Sequence, residues 1–145
     1  MVLVAAVETG QAIITALWTR ITSDATMKGV MGDPVSLYRV MGPADPSMPY
    51  FWHRLSLQGD MFHSTNTYYL DLWYYGVDSA VPDQAIDRAK ILLHEWRFTT
   101  ANDEAGGLLS WFSGGYIPTD VSNVWHYAMQ FDARFVAGRD VTNIT

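Results

Sequence analysis

The residues best suited to chemistry are four histidines, His53, His63, His94 and His126, and one carboxylate, Asp71, set among aromatic rings. The run "HEWRF" at 94–98 opens like a helical zinc-protease motif, where two histidines four positions apart share a face and a glutamate activates water. The position of the second ligand holds Phe98, so the motif is not completed. The other histidines stand alone in their segments and read as satisfied or solvated side chains. "WFSGG" sets Ser113 beside glycines, but a nucleophile elbow needs glycine two residues earlier, where Trp111 stands. Neither glycine pair, at 106–107 or 114–115, is followed by Lys-Ser or Lys-Thr, which excludes a phosphate loop on pattern. Without cysteine there is no disulfide framework and no thiolate metal site. No catalytic, metal-binding or cofactor-binding residues are expected, and the chain reads as a non-enzyme.

Asp71 lies within "TNTYYLDLWYYG", residues 65–76. Read as a strand, this stretch splits by parity: Asn66, Tyr68, Leu70, Leu72 and Tyr74 on a core face, and Thr65, Thr67, Tyr69, Asp71, Trp73 and Tyr75 on the other. A buried Asp71 would have a raised pKa and could act as a general acid. The favoured reading puts it on the more polar face, paired with Arg54 or Arg134 of a neighbouring strand, where deleting its charge costs little. The second face, polar at its start and aromatic toward its end, has the character of an interface that stays soluble before assembly. Tyr69, Asp71, Trp73 and Tyr75, with Trp111 and Phe112, are the expected subunit or partner contacts. Stacking of exposed Trp and Tyr on a sugar or nucleobase is the alternative use of the same rings.

The elements that must position these residues follow from periodicity. Ile13, Ile14, Leu17, Trp18 and Ile21 recur at helical spacing from about Glu8 to Ser23. Asp24 as an N-cap and Gly32 as a stop bound a short second helix. A strand at 35–40 leads into the Pro- and Gly-bearing loop 41–49, where three prolines cannot donate to a ladder. Strands are expected at 50–57 and 65–76. "PDQAIDRAKILLHEW" predicts a helix from 82 to 96 with Ile86, Ala89, Leu93 and Trp96 as its stripe. "RFTTAND" and "GGLLSWFSGGYIPT" supply two more strands, the glycine pairs reading as turns or bulges. In "VWHYAMQFDARFV" alternation is cleanest: Trp125, Tyr127, Met129, Phe131, Ala133 and Phe135 face one way, His126, Gln130, Asp132 and Arg134 the other. Together these give one α+β domain over 1–145, an antiparallel or mixed sheet with two main helices on one face, and flexible ends at 1–7 and 138–145.

Composition narrows the function classes. The 145 residues are near the usual size of one domain. Charged residues make up 17%, well below the average of about 25%, while aromatics reach 14%, so more apolar surface is expected than one fold can cover, which points to an oligomer. Fifteen acidic against nine basic residues, net charge −6, with no Lys/Arg cluster, argue against tight nucleic-acid binding. No segment approaches the ~20 apolar residues of a membrane span, and the start lacks the basic region of a signal peptide.

An N-terminal helix ending in "LWTRITSDATMKGVMG", a short strand, a proline-bearing loop closing in "MPYFWHRL", the strand "YYLDLWYYG", the helix "PDQAIDRAKILLHEW" and the closing "HYAMQFDARFVA" together resemble the tail-completion or tail-terminator (head-tail joining) proteins of long-tailed bacteriophages. The resemblance rests on Leu17, Asp24, Gly32, Pro49, Tyr50 and the strand from Leu70 to Tyr74, and runs from about residue 11 to 137. It implies a ring-forming α+β subunit, generally a hexamer, in the virion at the head-tail junction and assembled in the host cytoplasm. Its partners would be further copies of itself, the tail tube protein and the head-tail connector, with DNA passing through an acidic lumen without specific binding. The resemblance carries over no catalytic residue and no cofactor. The remaining alternatives are another neck or tail-tube component, or a small-ligand-binding α+β domain using Trp73, Tyr75 and Trp111.

Overall fold

The computed structural model describes residues 2–39, 47–57, 65–100 and 105–137, with the backbone alone for 2–9 and 137. The expected loop at 41–46, His63 and the expected flexible tail 138–145 lie outside the described residues. Helix α1 spans Val2–Thr22 and so starts ahead of the expected Glu8. Ile13, Leu17 and Ile21 are fully buried and Ile14 nearly so. Trp18, assigned to the same stripe by its spacing, is 47% exposed instead. Stepping by four along a 3.6-residue turn rotates each position by about 40°, and Trp18 falls at the margin of a stripe centred on Leu17.

Helix α2, Ala25–Met31, begins where expected: Asp24 accepts a hydrogen bond from the Met27 amide at 2.8 Å, satisfying one of the orphan donors of a first turn. Gly32 ends it at φ 104°, a conformation that favours glycine. Helix α3 spans Ala80–Leu93 and buries Ile86, Ala89 and Leu93 as its spacing required. It stops three residues before the expected end at 96. Its last N–H bond is His94 to the Lys90 carbonyl, and Glu95 at φ 58° turns the chain away from the helix. Trp96 therefore leaves the helical stripe and opens a strand. Arg88 of α3 reaches back to the Asp24 carboxylate with two bonds, of 2.8 and 2.7 Å, so a single side chain both caps α2 and ties it to α3.

The six strands are β1 (Leu37–Arg39), β2 (Tyr50–Ser56), β3 (Asn66–Tyr75), β4 (Trp96–Thr99), β5 (Ala105–Ile117) and β6 (Val124–Ala137). They form one sheet in the order β1-β2-β3-β6-β5-β4, with β1 parallel to β2 and every other pair antiparallel. The fold is a single-sheet α+β domain, as the alternation of elements predicted. Asn66, Tyr68, Leu70 and Leu72 of β3 and Met129, Phe131, Ala133 and Phe135 of β6 are buried on one face, in one cluster with Ile13, Leu17, Ile86 and Leu93 of the helices. All three helices contribute to that core, which leaves the opposite face without a helix among the described residues.

Of the turns or bulges expected at the glycine pairs, β5 shows a bulge beside the second pair and no turn. Gly114 and Gly115 sit within a continuous 13-residue strand, paired with Met129 and Ala128, and the irregularity is a register shift between Trp111 and Ser113. Gly107 has a packing reason: a Cβ there would lie 2.7 Å from the rings of Phe98 and Phe135. β4 pairs with β5 only from Gly106 to Leu109, so the outer edge of β5 beyond Leu109 has no strand beside it among the described residues. There the Trp111 amide donates to His94 Nδ1 at 2.9 Å.

Candidate partner-binding face

The helix-free face is built by register. Tyr50, Trp73 and His126 lie directly opposite one another across β2, β3 and β6, and the next row holds Trp52, Asp71, Ala128 and Gly115. Side chains on one face of adjacent strands stand about 5 Å apart, so directly opposed rings must meet. Tyr50 stacks on Trp73 with centroids 6.4 Å apart, and Trp73 stacks on His126 at 3.9 Å with the planes 11° apart. Tyr38 of β1 extends the strip, 6.1 Å from Tyr50. The row through Tyr69 adds the Arg54 guanidinium, 4.2 Å above that ring. The result is an aromatic strip across four strands, with Ala128 and the open space above Gly115 beside it.

Asp71 is buried on this face, and its partner is His126, whose Nε2 lies 2.8 Å from Oδ2. The expected partners, Arg54 and Arg134, do not fill that role: Arg54 lies over Tyr69 and acts on Asp71 only through its field, and Arg134 lies six residues along β6 from Ala128, the register partner of Asp71. Burial raises the carboxyl pKa, with the His126 bond and the Arg54 charge opposing it. His126 was the residue missed. Its signal was parity, since it alternates with Trp125 and Tyr127 and so had to share a face with whatever β3 turned outward.

Of the expected contact residues, the structure brings together Tyr69, Asp71 and Trp73. Tyr75, 61% exposed, follows at the strand end. Trp111 is elsewhere. It lies opposite Phe131 on the helix side, edge-on to that ring at 5.4 Å, with Lys90 4.3 Å above its own ring. Phe112, at the register shift, is 62% exposed. The Trp73 indole N–H is buried with no hydrogen-bond partner among the described residues. A buried donor left unpaired costs about 1–3 kcal/mol, a cost carried inside the fold, because the nitrogen lies beneath the surface where a docked partner does not reach it.

Charge on the face is nearly balanced, with Arg54, Arg97 and Arg134 against Asp71 and Asp132. Asp71 and His126 are only two ligands, and no group of three His, Asp or Glu suited to a metal occurs among the described residues. Among the described residues no helix is long and apolar enough to cross a membrane. What the surface offers is flat rings and two paired ionisable groups, which is recognition chemistry.

No protein-family model and no curated protein matches the chain. Among solved structures the fold is similar to a chain described as "Virion of native gene transfer agent (GTA) particle", at TM-score 0.62 and 12% identity, covering 81% of this chain and 90% of that one. At that identity the likeness is one of fold.

Proposed function

We propose that the chain is a structural subunit of a phage-like virion, and within it the tail-terminator or tail-completion subunit. Six copies would close into a ring at the head-proximal end of the tail, stop tube growth and present the surface on which the head connector docks. The observation that carries this reading is the aromatic face of the sheet, which no helix covers among the described residues and whose flat rings suit a partner. The shared fold with a virion chain and the sequence pattern of the tail proteins support it.

The two sheet edges add to that support. They are unlike, a three-residue β1 at one end and the bare stretch of β5 at the other. Contacts between unlike surfaces are heterologous, which is the geometry that closes into rings and leaves two different annular faces. The near-neutral charge of the aromatic face suits subunit contact, and the acidic balance of the sequence suits a lumen that repels passing DNA.

Light scattering and electron microscopy of the purified protein, alone and mixed with tail tubes, test the proposal. Rings that cap one end of a tube are expected. A protein that stays monomeric and leaves tubes uncapped overturns it, and density elsewhere along the virion would assign it to another neck or tube position.

A further inference from the structure

A second site lies on the other side of the sheet, between α1 and the first two strands. A cavity of about 170 Å³ there is lined by Gln11, Ile14, Thr15, Trp18, Arg39 and His53. It would hold about six waters' worth of liquid volume, room for the end of one side chain or a small acid. Its floor is His53, only 2% exposed.

The protonation of that histidine follows from its neighbour. Tyr68 is fully buried, and among the described residues its hydroxyl has one partner, His53 Nδ1, at 2.6 Å. A buried O–H requires an acceptor, so Nδ1 carries no proton and the neutral ring holds its proton on Nε2. Nε2 has no partner among the described residues. Arg39 sits close enough to oppose protonation of His53 and is anchored by a 3.3 Å bond from Nη1 to Gln11 Oε1. The cavity therefore combines an unused N–H, a guanidinium and the Thr15 hydroxyl with the apolar walls of Ile14 and the exposed Trp18.

We propose that this cavity is a carboxylate-binding socket, in which His53 Nε2–H and the Arg39 guanidinium take the two oxygens while Trp18 and Ile14 flank the carbon stem. A planar group with two acceptors matches two convergent donors, one of them charged, and the apolar walls favour a carbon stem over a bare inorganic anion. It also accounts for Trp18, a large ring left exposed beside an otherwise buried stripe. The site does not depend on the virion reading, since it lies on the opposite side of the sheet from the aromatic face.

The test is imidazole ¹H–¹⁵N NMR of the labelled full chain at pH 7, titrated with propionate, with propionamide as the neutral control, and with a capped dipeptide containing glutamate. Propionate is expected to shift the His53 Nε2–H resonance saturably and to raise the pKa of His53 from about 4 toward its ordinary value. The amide should do neither. Arg39→Gln, at an exposed position, should weaken binding about tenfold without unfolding the protein. Tighter binding of the peptide than of propionate would assign the socket to an acidic side chain of another protein, and the reverse to a free small acid. No shift with either ligand, an equal response to propionamide, or undiminished binding by Arg39→Gln would overturn the proposal.

Discussion

Acidification should destabilise this protein through His53 in particular. Its imidazole is held neutral by burial, with the Arg39 charge adding to the effect, and its pKa falls from the ordinary 6.5 to about 4. The folded state therefore binds fewer protons than the unfolded chain between those values. Stability from this group is complete above pH 6.5 and is lost as pH falls toward 4. With those two pKa values the linkage relation gives a loss of about 2 kcal/mol by pH 5 and about 3 kcal/mol by pH 4, a large share of a typical domain's stability. Asp71, whose pKa is raised, works in the opposite direction, and Asp24, whose pKa is lowered, works in the same direction at more acidic pH. Comparison with His53→Gln cancels both. Urea unfolding of the two proteins from pH 7 to pH 4 should show the wild-type stability falling faster, with the difference between the curves changing by the amounts above. Tyr68→Phe should keep the steep wild-type slope, because burial and not the hydroxyl is the main cause of the shift. Parallel loss in wild type and His53→Gln would refute the reasoning.

Other substitutions test separate contacts. Trp73→Ala removes the centre of the aromatic strip, and it should reduce ring assembly at least tenfold by light scattering while costing the monomer about 1–2 kcal/mol in urea, since Trp73 is only partly buried. Asp24→Asn retains a capping oxygen and loses only the charge toward Arg88; Asp24→Ala loses both, and its unfolding midpoint should fall further, by about 1 kcal/mol equivalent. Gly107→Val drives a side chain into Phe98 and Phe135, and thermal unfolding should report a loss of about 1–3 kcal/mol.

The sequence revealed those elements whose pattern is decided by near neighbours. Ile13, Leu17 and Ile21 marked the buried side of α1, Asp24 announced the start of α2, and the alternation from Trp125 to Phe135 assigned both faces of β6. The parity of β3 separated its core face from its outer face, and so identified Tyr69, Asp71 and Trp73 as neighbours on one surface. What it could not decide depends on residues far away in the chain. Asp71 took His126, 55 residues on, because that ring lies one diagonal step away across β6. Trp96 fits the helical spacing, yet the turn at Glu95 gives it to β4, where it stacks on Phe98. Gly114 and Gly115 read locally as a turn or a bulge, and fourteen residues of β6 offer partners that carry β5 straight through them, with the irregularity just before, between Trp111 and Ser113. Trp111 and Phe112 are adjacent in sequence and were grouped together, but the shift in register beside them seats Trp111 against Phe131 under Lys90 and leaves Phe112 exposed.

The strand order bears on how the chain reaches its folded state. β6, the last of the described strands, sits at the middle of the sheet between β3 and β5, and Asn66 must find Ala133 across more than sixty residues. Contacts so distant in sequence slow folding, because the intervening loop must close before the pairing rewards it. During synthesis, β1, β2 and β3 can pair as one ribbon and β4 with β5 as another, each with an open edge facing a gap that only residues 124–137 can fill. A nascent chain therefore exposes two sticky edges until residues 124–137 have been made, and a truncation before Val124 removes the keystone of the sheet rather than its margin.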